Sequence, residues 1–266
     1  MRGNIIQSTP SDFFLEVARG NIPGMYPVNR FGHAPDGMQL TATDVWDLAN
    51  ATPTQQIWVA PTTARIHQIT STSTSDDGAP VGVGARTIEI FGLTGWGANE
   101  VSETLTMNGT TDVPTANAYV IIHRMRILTK GATNVNVGQI TATADTDSSI
   151  TAVILAGQGQ TGMAILGIPS TQKFYIEEVY GSIGETGGSA AAIDLQLLVN
   201  PEPDAELLNF RHEHTYSVTK SGSSSVEETF HPPKEIVGPA IIKVQGLSSA
   251  ADQDVDAGFD GILVDN

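Results

Sequence analysis

Three groups of residues have the types and spacing that chemistry requires. The first is Gly157-Gln158-Gly159-Gln160-Thr161-Gly162, which follows the apolar run from Ala152 to Ala156. Its glycines have the spacing of a dinucleotide-binding fingerprint, and Glu177 stands about 20 positions beyond Gly157, where an acidic ribose partner is sought. That chemistry also needs a helix whose amide end meets the pyrophosphate. The following MAILGIPSTQ contains Gly167 and Pro169 and cannot supply one, so the motif reads as a glycine-rich β-hairpin. The second group is His212-Glu213-His214, with His231 downstream. Alternate residues of a strand share a face, so two histidines here could ligate a metal, and a trimer axis could gather three such pairs. No third ligand lies in the segment, and the reading is a polar pair near a hairpin tip. The third is Asp252, Asp254, Asp256 and Asp260. An EF-hand loop needs glycine at its sixth position and glutamate at its twelfth; Ala257 and Leu263 stand there instead. The expectation is an acidic turn before the last strand, with a calcium site of another kind left open. No serine sits in a nucleophile elbow, and no carboxylate pair is singled out for acid and base roles. The sequence therefore predicts a non-enzyme with no catalytic, cofactor or metal residues.

The elements that would position these groups are strands. From Ala85 to Leu128 the chain reads as three consecutive strands with turn residues between them: Gly92, Gly95, Gly97 and Asn99 in the first connection, Asn108-Gly109 in the second. In Val101 to Met107 the residues Val101, Glu103, Leu105 and Met107 share one face, while Ser102, Thr104 and Thr106 share the other, the period of a half-buried strand. Strand signals recur from QQIWVA, which starts at Gln55, to the terminal GILVDN, with a Gly-Ser tract from Thr219 to Val226 as an exposed hairpin tip or loop. The fold class predicted is all-β, an antiparallel β-sandwich of jelly-roll type over residues 55–266. Residues 1–54 read as an extended N-terminal arm. Ser11-Asp12 caps a short helix that Gly20 ends, and a Pro-, Gly- and Asn-rich stretch comes after it. The arm's aromatics Phe13, Phe14, Tyr26, Phe31 and Trp46 gain free energy only when buried, so they are the candidate partner-binding residues.

Composition narrows the function classes. The 266 residues are 40% hydrophobic, enough for a substantial core. Only 6% are aromatic and 16% charged, so sheet faces must be covered largely by Thr, Ser, Asn and Gln. A formal charge of -16 repels phosphate backbones and argues against nucleic acid as a partner. There is no cysteine, hence no disulfide and no thiolate chemistry. No apolar run approaches the roughly 20 residues of a membrane helix, and the N-terminus lacks a secretory core, so a soluble product of the host cytoplasm is expected.

The run GARTIEIFGLTGWGANEVSETLTMNGTTDVPTANAYVIIHRMRIL, the hairpin NVGQITATA, the segment ITAVILAGQGQTGMAILGIPSTQKFYIEEVYGSI and the ending AGFDGILVDN resemble virion structural proteins of tailed bacteriophages. The opening SDFFLEVARGNIPG with its RFG turn is similar to the start of those proteins. The resemblance implies a β-rich, non-enzymatic particle component, and within that class a capsid decoration or cement protein on the capsid surface; it carries over no catalytic residue. The expected partners are the major capsid protein and the chain itself as a homotrimer, with no nucleic acid and no membrane. The other readings are a receptor- or glycan-binding fibre protein, with Trp96, Tyr180 and Tyr216 as stacking platforms, and a tail adaptor or tube component.

Overall fold

A computed structural model describes residues 10–49, 55–184, 192–220 and 224–266. In chain order come helix α1 (Pro10–Ala18), β1 (Met25–Met38), β2 (Thr43–Asp44) and a 3₁₀ turn (Asp47–Ala49). Next are β3 (His67–Ser71), β4 (Ala85–Leu93), β5 (Val101–Thr106), β6 (Val113–Pro114), β7 (Ile121–Lys130), β8 (Ile140–Ala144) and β9 (Ile150–Ile154). The last are β10 (Ile165–Ile168), β11 (Gln172–Ile183), β12 (Ala192–Asn200), β13 (Arg211–Thr219), β14 (Ser225–Val237), β15 (Ala240–Ser248) and β16 (Gln253–Asp265). The described residues thus form an all-β protein with one short helix.

Two sheets make the main sandwich, in the orders β1-β16-β11-β14 and β10-β15-β12-β13, with β2 added on β15. Every pairing is antiparallel. The alternation of β11, buried at Phe174, Ile176 and Val179, turns one face of its sheet inward. Phe174 and Phe259 meet edge to face at 5.8 Å there, and each fully buried side chain of this kind stabilises by roughly 1.5–3 kcal/mol. Leu195, Leu197, Val218 and Val244 supply the opposite face. The faces touch: the Tyr216 hydroxyl donates to the Tyr180 carbonyl at 3.4 Å, and a Cβ on Gly181 would collide with Leu195.

The strands between β2 and β10 form two smaller sheets, β6-β3-β8-β9 and β5-β4-β7. The three strands expected between Ala85 and Leu128 are β4, β5 and β7, in one sheet. Leu105 and Met107 are buried, while Ser102, Thr104 and Thr106 are exposed, as period two requires. Asp76 ties this region together: its buried carboxylate accepts from the backbone of Ala85, Val137 and Gly138 at 2.8 Å each and from the Ser71 hydroxyl at 2.6 Å.

The structure departs from the sequence reading at four places. The expected arm does not stand apart from the body, because residues 25–38 form β1, paired with β16 along nearly its whole length. A second long strand, β14, lies where the chain carries Pro232 and Pro233. Both are edge strands, and an edge is where a sheet tolerates a residue with no N–H to donate; proline therefore hid them. QQIWVA forms no strand. It is instead a buried connection, with the Trp58 indole donating to the Thr151 carbonyl at 2.8 Å. The Gly-Ser tract, whose residues 221–223 lie outside those described, joins β13 and β14, which belong to different sheets and so form no hairpin. At the N-terminus the short helix is present, with Gly20 at φ 74° as its stop; the side chains of Ser11 and Asp12 lie outside the described ones.

A candidate docking groove along the edge strand

Helix α1 is anchored by Val17, which is buried, so the next faces of the helix point outward. Phe14 and Leu15 are exposed, and Phe13 packs edge to face on Phe14 with centroids 5.5 Å apart. On β1, Tyr26 and Phe31 are also exposed. Four of the five sequence-predicted binding aromatics therefore lie along one edge of the molecule. Trp46 does not join them. It is fully buried, its Nε1 donating to the Gln55 carbonyl at 2.9 Å, and it belongs to the chain's own core.

Between α1, β1 and the sheet of β4 and β7 run two recesses of about 390 and 550 Å³. They meet over Pro27, Val28, Arg30 and Arg124. Tyr26 and Phe91 flank one end; Phe14 and Phe31 flank the other. Arg30 dominates the middle. Its side chain is 11% exposed, its Nε finds no acceptor, Nη1 reaches the Asn29 carbonyl only at 3.4 Å, and Nη2 lies 3.7 Å from Glu100. Burial brings its pKa down to about 10 despite Glu100. Glu100 is shared with the buried His123, whose Nε2 donates to it while Nδ1 accepts from the Gly167 amide at 3.4 Å. Burial pushes the His123 pKa down, so the ring is neutral at pH 7. Burial works to raise the Glu100 carboxyl, but His123, Arg30 and Arg124 together hold it below the usual range. Arg124 donates to Gln160 at 3.1 Å and lies 6.0 Å from the Phe91 ring centroid. Arg126 is held by Glu89 at 2.7 Å.

The other candidates separate. The glycine motif connects β9 to β10, strands of different sheets, so it is neither a hairpin nor the start of a helix. Its Gly157 and Gly159 take positive φ, and the Gly162 amide donates to Asp47 at 2.7 Å. Glu177 is the extra residue of a β-bulge between Ile176 and Glu178. A register shift between Leu197 and Leu198 falls at Glu213, so His212 and His214 do not alternate as a regular strand would have them. His212 bonds Thr215, and His214 bonds Glu228 of the facing sheet at 2.7 Å. Asp252 lies in the bend before the last strand, at φ 55°, as expected, but Asp254, Asp256 and Asp260 belong to β16: Asp254 lies 3.0 Å from His33, and Asp260 accepts from Asn29 at 2.5 Å. Among the described residues no group of three or more His, Asp or Glu has metal-holding geometry. Of the proposed stacking platforms, Tyr216 is buried between the sheets, and the Tyr180 hydroxyl reaches the Arg30 carbonyl at 3.5 Å. Trp96 is partly buried against the core.

Sequence reasoning passed over the charged residues that matter most here. Asp44 and Lys243 form a buried pair at 2.7 Å, with Gln245 and the Trp58 amide completing the carboxylate's bonds at 2.8 Å each. Asp47, also buried, is pushed up to about 7 by desolvation. Their partners lie far along the chain, and nothing local marks them.

No described protein family matches the chain, and no curated protein sequence matches it. Among solved structures, the chain is similar to the infectious bursal disease virus Gt strain structure and to the crystal structure of the infectious bursal disease virus VP2 subviral particle, at 9% and 10% identity. Each comparison covers 91% of this chain and 70% of the other, with TM-scores of 0.18 and 0.21. Likenesses so loose carry no argument about what this chain does.

Proposed function

We propose that this chain is a non-enzymatic virion structural protein of a tailed bacteriophage, a capsid decoration or cement protein that bridges major capsid protein subunits, with three copies meeting as a trimer. The observation that carries the reading is the strand order. Taken in chain order, β1 and β10 to β16 alternate between the two main sheets at every step except β12 to β13, and the last strand lies beside the first. That wrapping fits the double Greek key of a jelly roll, an architecture common among capsid domains, with residues between β1 and β10 as an inserted pair of small sheets. Lectins and cupins share the architecture, so the fold supports the reading without deciding it. The half-exposed aromatics on α1 and β1 supply a second support, since aromatic residues and arginine are enriched in protein interfaces.

The test uses capsids of the encoding virus prepared without this chain. Saturable binding of the full chain, with a raised capsid melting temperature, is expected, and Phe14→Ala with Phe31→Ala should weaken binding about tenfold or more, or roughly 1.4 kcal/mol. Failure to bind those capsids, with binding to host cells or surface polysaccharide instead, overturns the decoration reading in favour of receptor binding.

A further inference from the structure

At its Tyr26 and Phe91 end the groove along β1 holds more positive charge than its local partner neutralises, although along its whole length Arg30 and Arg124 are set against Glu100, Glu177 and Asp260. Arg30 is almost wholly buried, yet its contacts are long and its Nε is unpaired. A buried cation in that condition is costly, and a carboxylate offers the forked acceptor that a guanidinium lacks here. Glu100 provides one negative charge against Arg30 and Arg124, and it already accepts from His123. One positive charge is left over, in a chain whose formal charge is -16. Toward α1 the sign reverses, because Glu177 and Asp260 line that recess and, among the described residues, no arginine or lysine pairs with either. The groove is therefore polarised along its length and walled by aromatic rings at both ends.

We infer that this groove binds an extended, acidic and apolar peptide segment of a partner chain, with an Asp or Glu carboxylate seated between Arg30 and Arg124. Apolar side chains on either side of the carboxylate would pack on Tyr26 and Phe91 at one end and on Phe14 and Phe31 at the other. A basic residue toward the α1 end would meet Glu177 and Asp260. Two joined recesses of this size exceed what a simple acid fills, which favours a segment over a free anion. Pro27 lacks an N–H, so continuous strand addition on β1 is interrupted, and side-chain recognition has to carry the affinity. The inference rests on the groove alone and stands whether or not the chain belongs to a virion.

Selection of a randomised seven-residue peptide library on the full chain tests it, followed by titration of a recovered peptide and its Glu-to-Gln analogue against ¹⁵N-arginine-labelled protein. Recovered sequences should share an acidic residue flanked by apolar ones. The recovered peptide should shift the Arg30 and Arg124 Nε–H signals saturably, and the Gln analogue should bind at least tenfold more weakly. Arg124→Gln should cause a similar loss, whereas Arg65→Gln, whose parent residue pairs with Asp147 away from the groove, should bind like wild type. Because Arg124 is half-exposed, its substitution is compatible with folding, and an unchanged melting temperature checks this. The proposal is overturned if no acidic sequence is enriched, if the analogue binds equally well, or if sodium acetate alone binds as tightly as the peptide.

Discussion

The two edges of the sheet β1-β16-β11-β14 solve the same problem in opposite ways. An edge strand displays unpaired backbone groups and invites association with another chain. At β14 the answer is repulsion: Pro232 and Pro233 remove donors, and Glu227, Glu228, Lys234 and Glu235 cover a mostly exposed strand with charge. Its ion pairs are solvated, as with Lys234 to Glu213 at 2.7 Å and Lys173 to Glu235 at 3.2 Å. At β1 the answer is cover. The inserted strands and α1 lie against this edge, the His33 amide donates to the Gly162 carbonyl, and Gly32 allows the backbones of Val45 and Ala164 to approach. On that side His123 and Asp47 are buried and Arg30 nearly so, while Glu100, which Arg30 and His123 share, remains exposed. The difference teaches that one edge is guarded by proline and charge while the other is built into a groove.

Removing the buried carboxylate at position 44, on the β2–β15 pairing of the sheet that packs against β1, should have the largest effect. Asp44→Ala leaves Lys243 buried beside the Phe210 ring, 4.4 Å from its centroid, with no counter-charge. A loss of about 3–5 kcal/mol in urea unfolding is expected, and an apolar replacement of both partners should recover much of it. No recovery in the double replacement, or a loss under about 1 kcal/mol for Asp44→Ala, would show that the pair does not hold β2 on β15.

Asp47 gives the β1 side a pH dependence. Its folded pKa, about 7, lies above the ordinary 3.8, so the folded state binds the extra proton between those values. The contribution is fully present below about pH 4 and is lost as pH rises through about 7. Asp47→Asn should therefore gain stability over wild type as pH rises from 4 to 8, on the order of a few kcal/mol. A constant difference between the two proteins over that range would contradict it. His67 works in the opposite direction. Burial brings it down to about 4, so its contribution is lost as pH falls from 6.5 toward 4.

A methyl group at position 32 probes how tightly the edge is covered. Gly32→Ala would push a Cβ into the Val45 carbonyl and the Ala164 amide, and a cost of about 1–3 kcal/mol is expected. Thermal unfolding unchanged within error would mean that the insert gives way freely. The smallest effect belongs to β14. Lys234→Ala should cost less than about 1 kcal/mol, because its partner Glu213 is, like it, about a third exposed and water screens the pair. A larger loss in chemical denaturation would place β14 among the tightly held elements and erase the contrast between the edges.

Local pattern made the all-β class legible from residues alone. Val101 to Met107 announces its two faces by alternation, and Gly95, Gly97 and Asn99 mark the reversal from β4 to β5, whereas Gly92 lies inside β4 and Asn108-Gly109 leads from β5 toward β6 of the other small sheet. The helix after Pro10 and its stop at Gly20 were equally readable, because capping and positive φ are properties of a few adjacent residues. Tertiary structure decided the rest. Pro27 and Pro232 look like strand breakers until the sheet places them at its two edges, where no neighbour asks for their missing donors. Trp46 looks like an anchor for a partner until β1 and the insert close over it. Arg30 meets Glu100 and Arg124 only because the inserted sheet of β4, β5 and β7 packs against β1, and Asp44 meets Lys243 only because β2 comes into antiparallel register with β15. Burial and the pairing of charges are properties of that packing and register, and a one-dimensional pattern of residue types does not contain them.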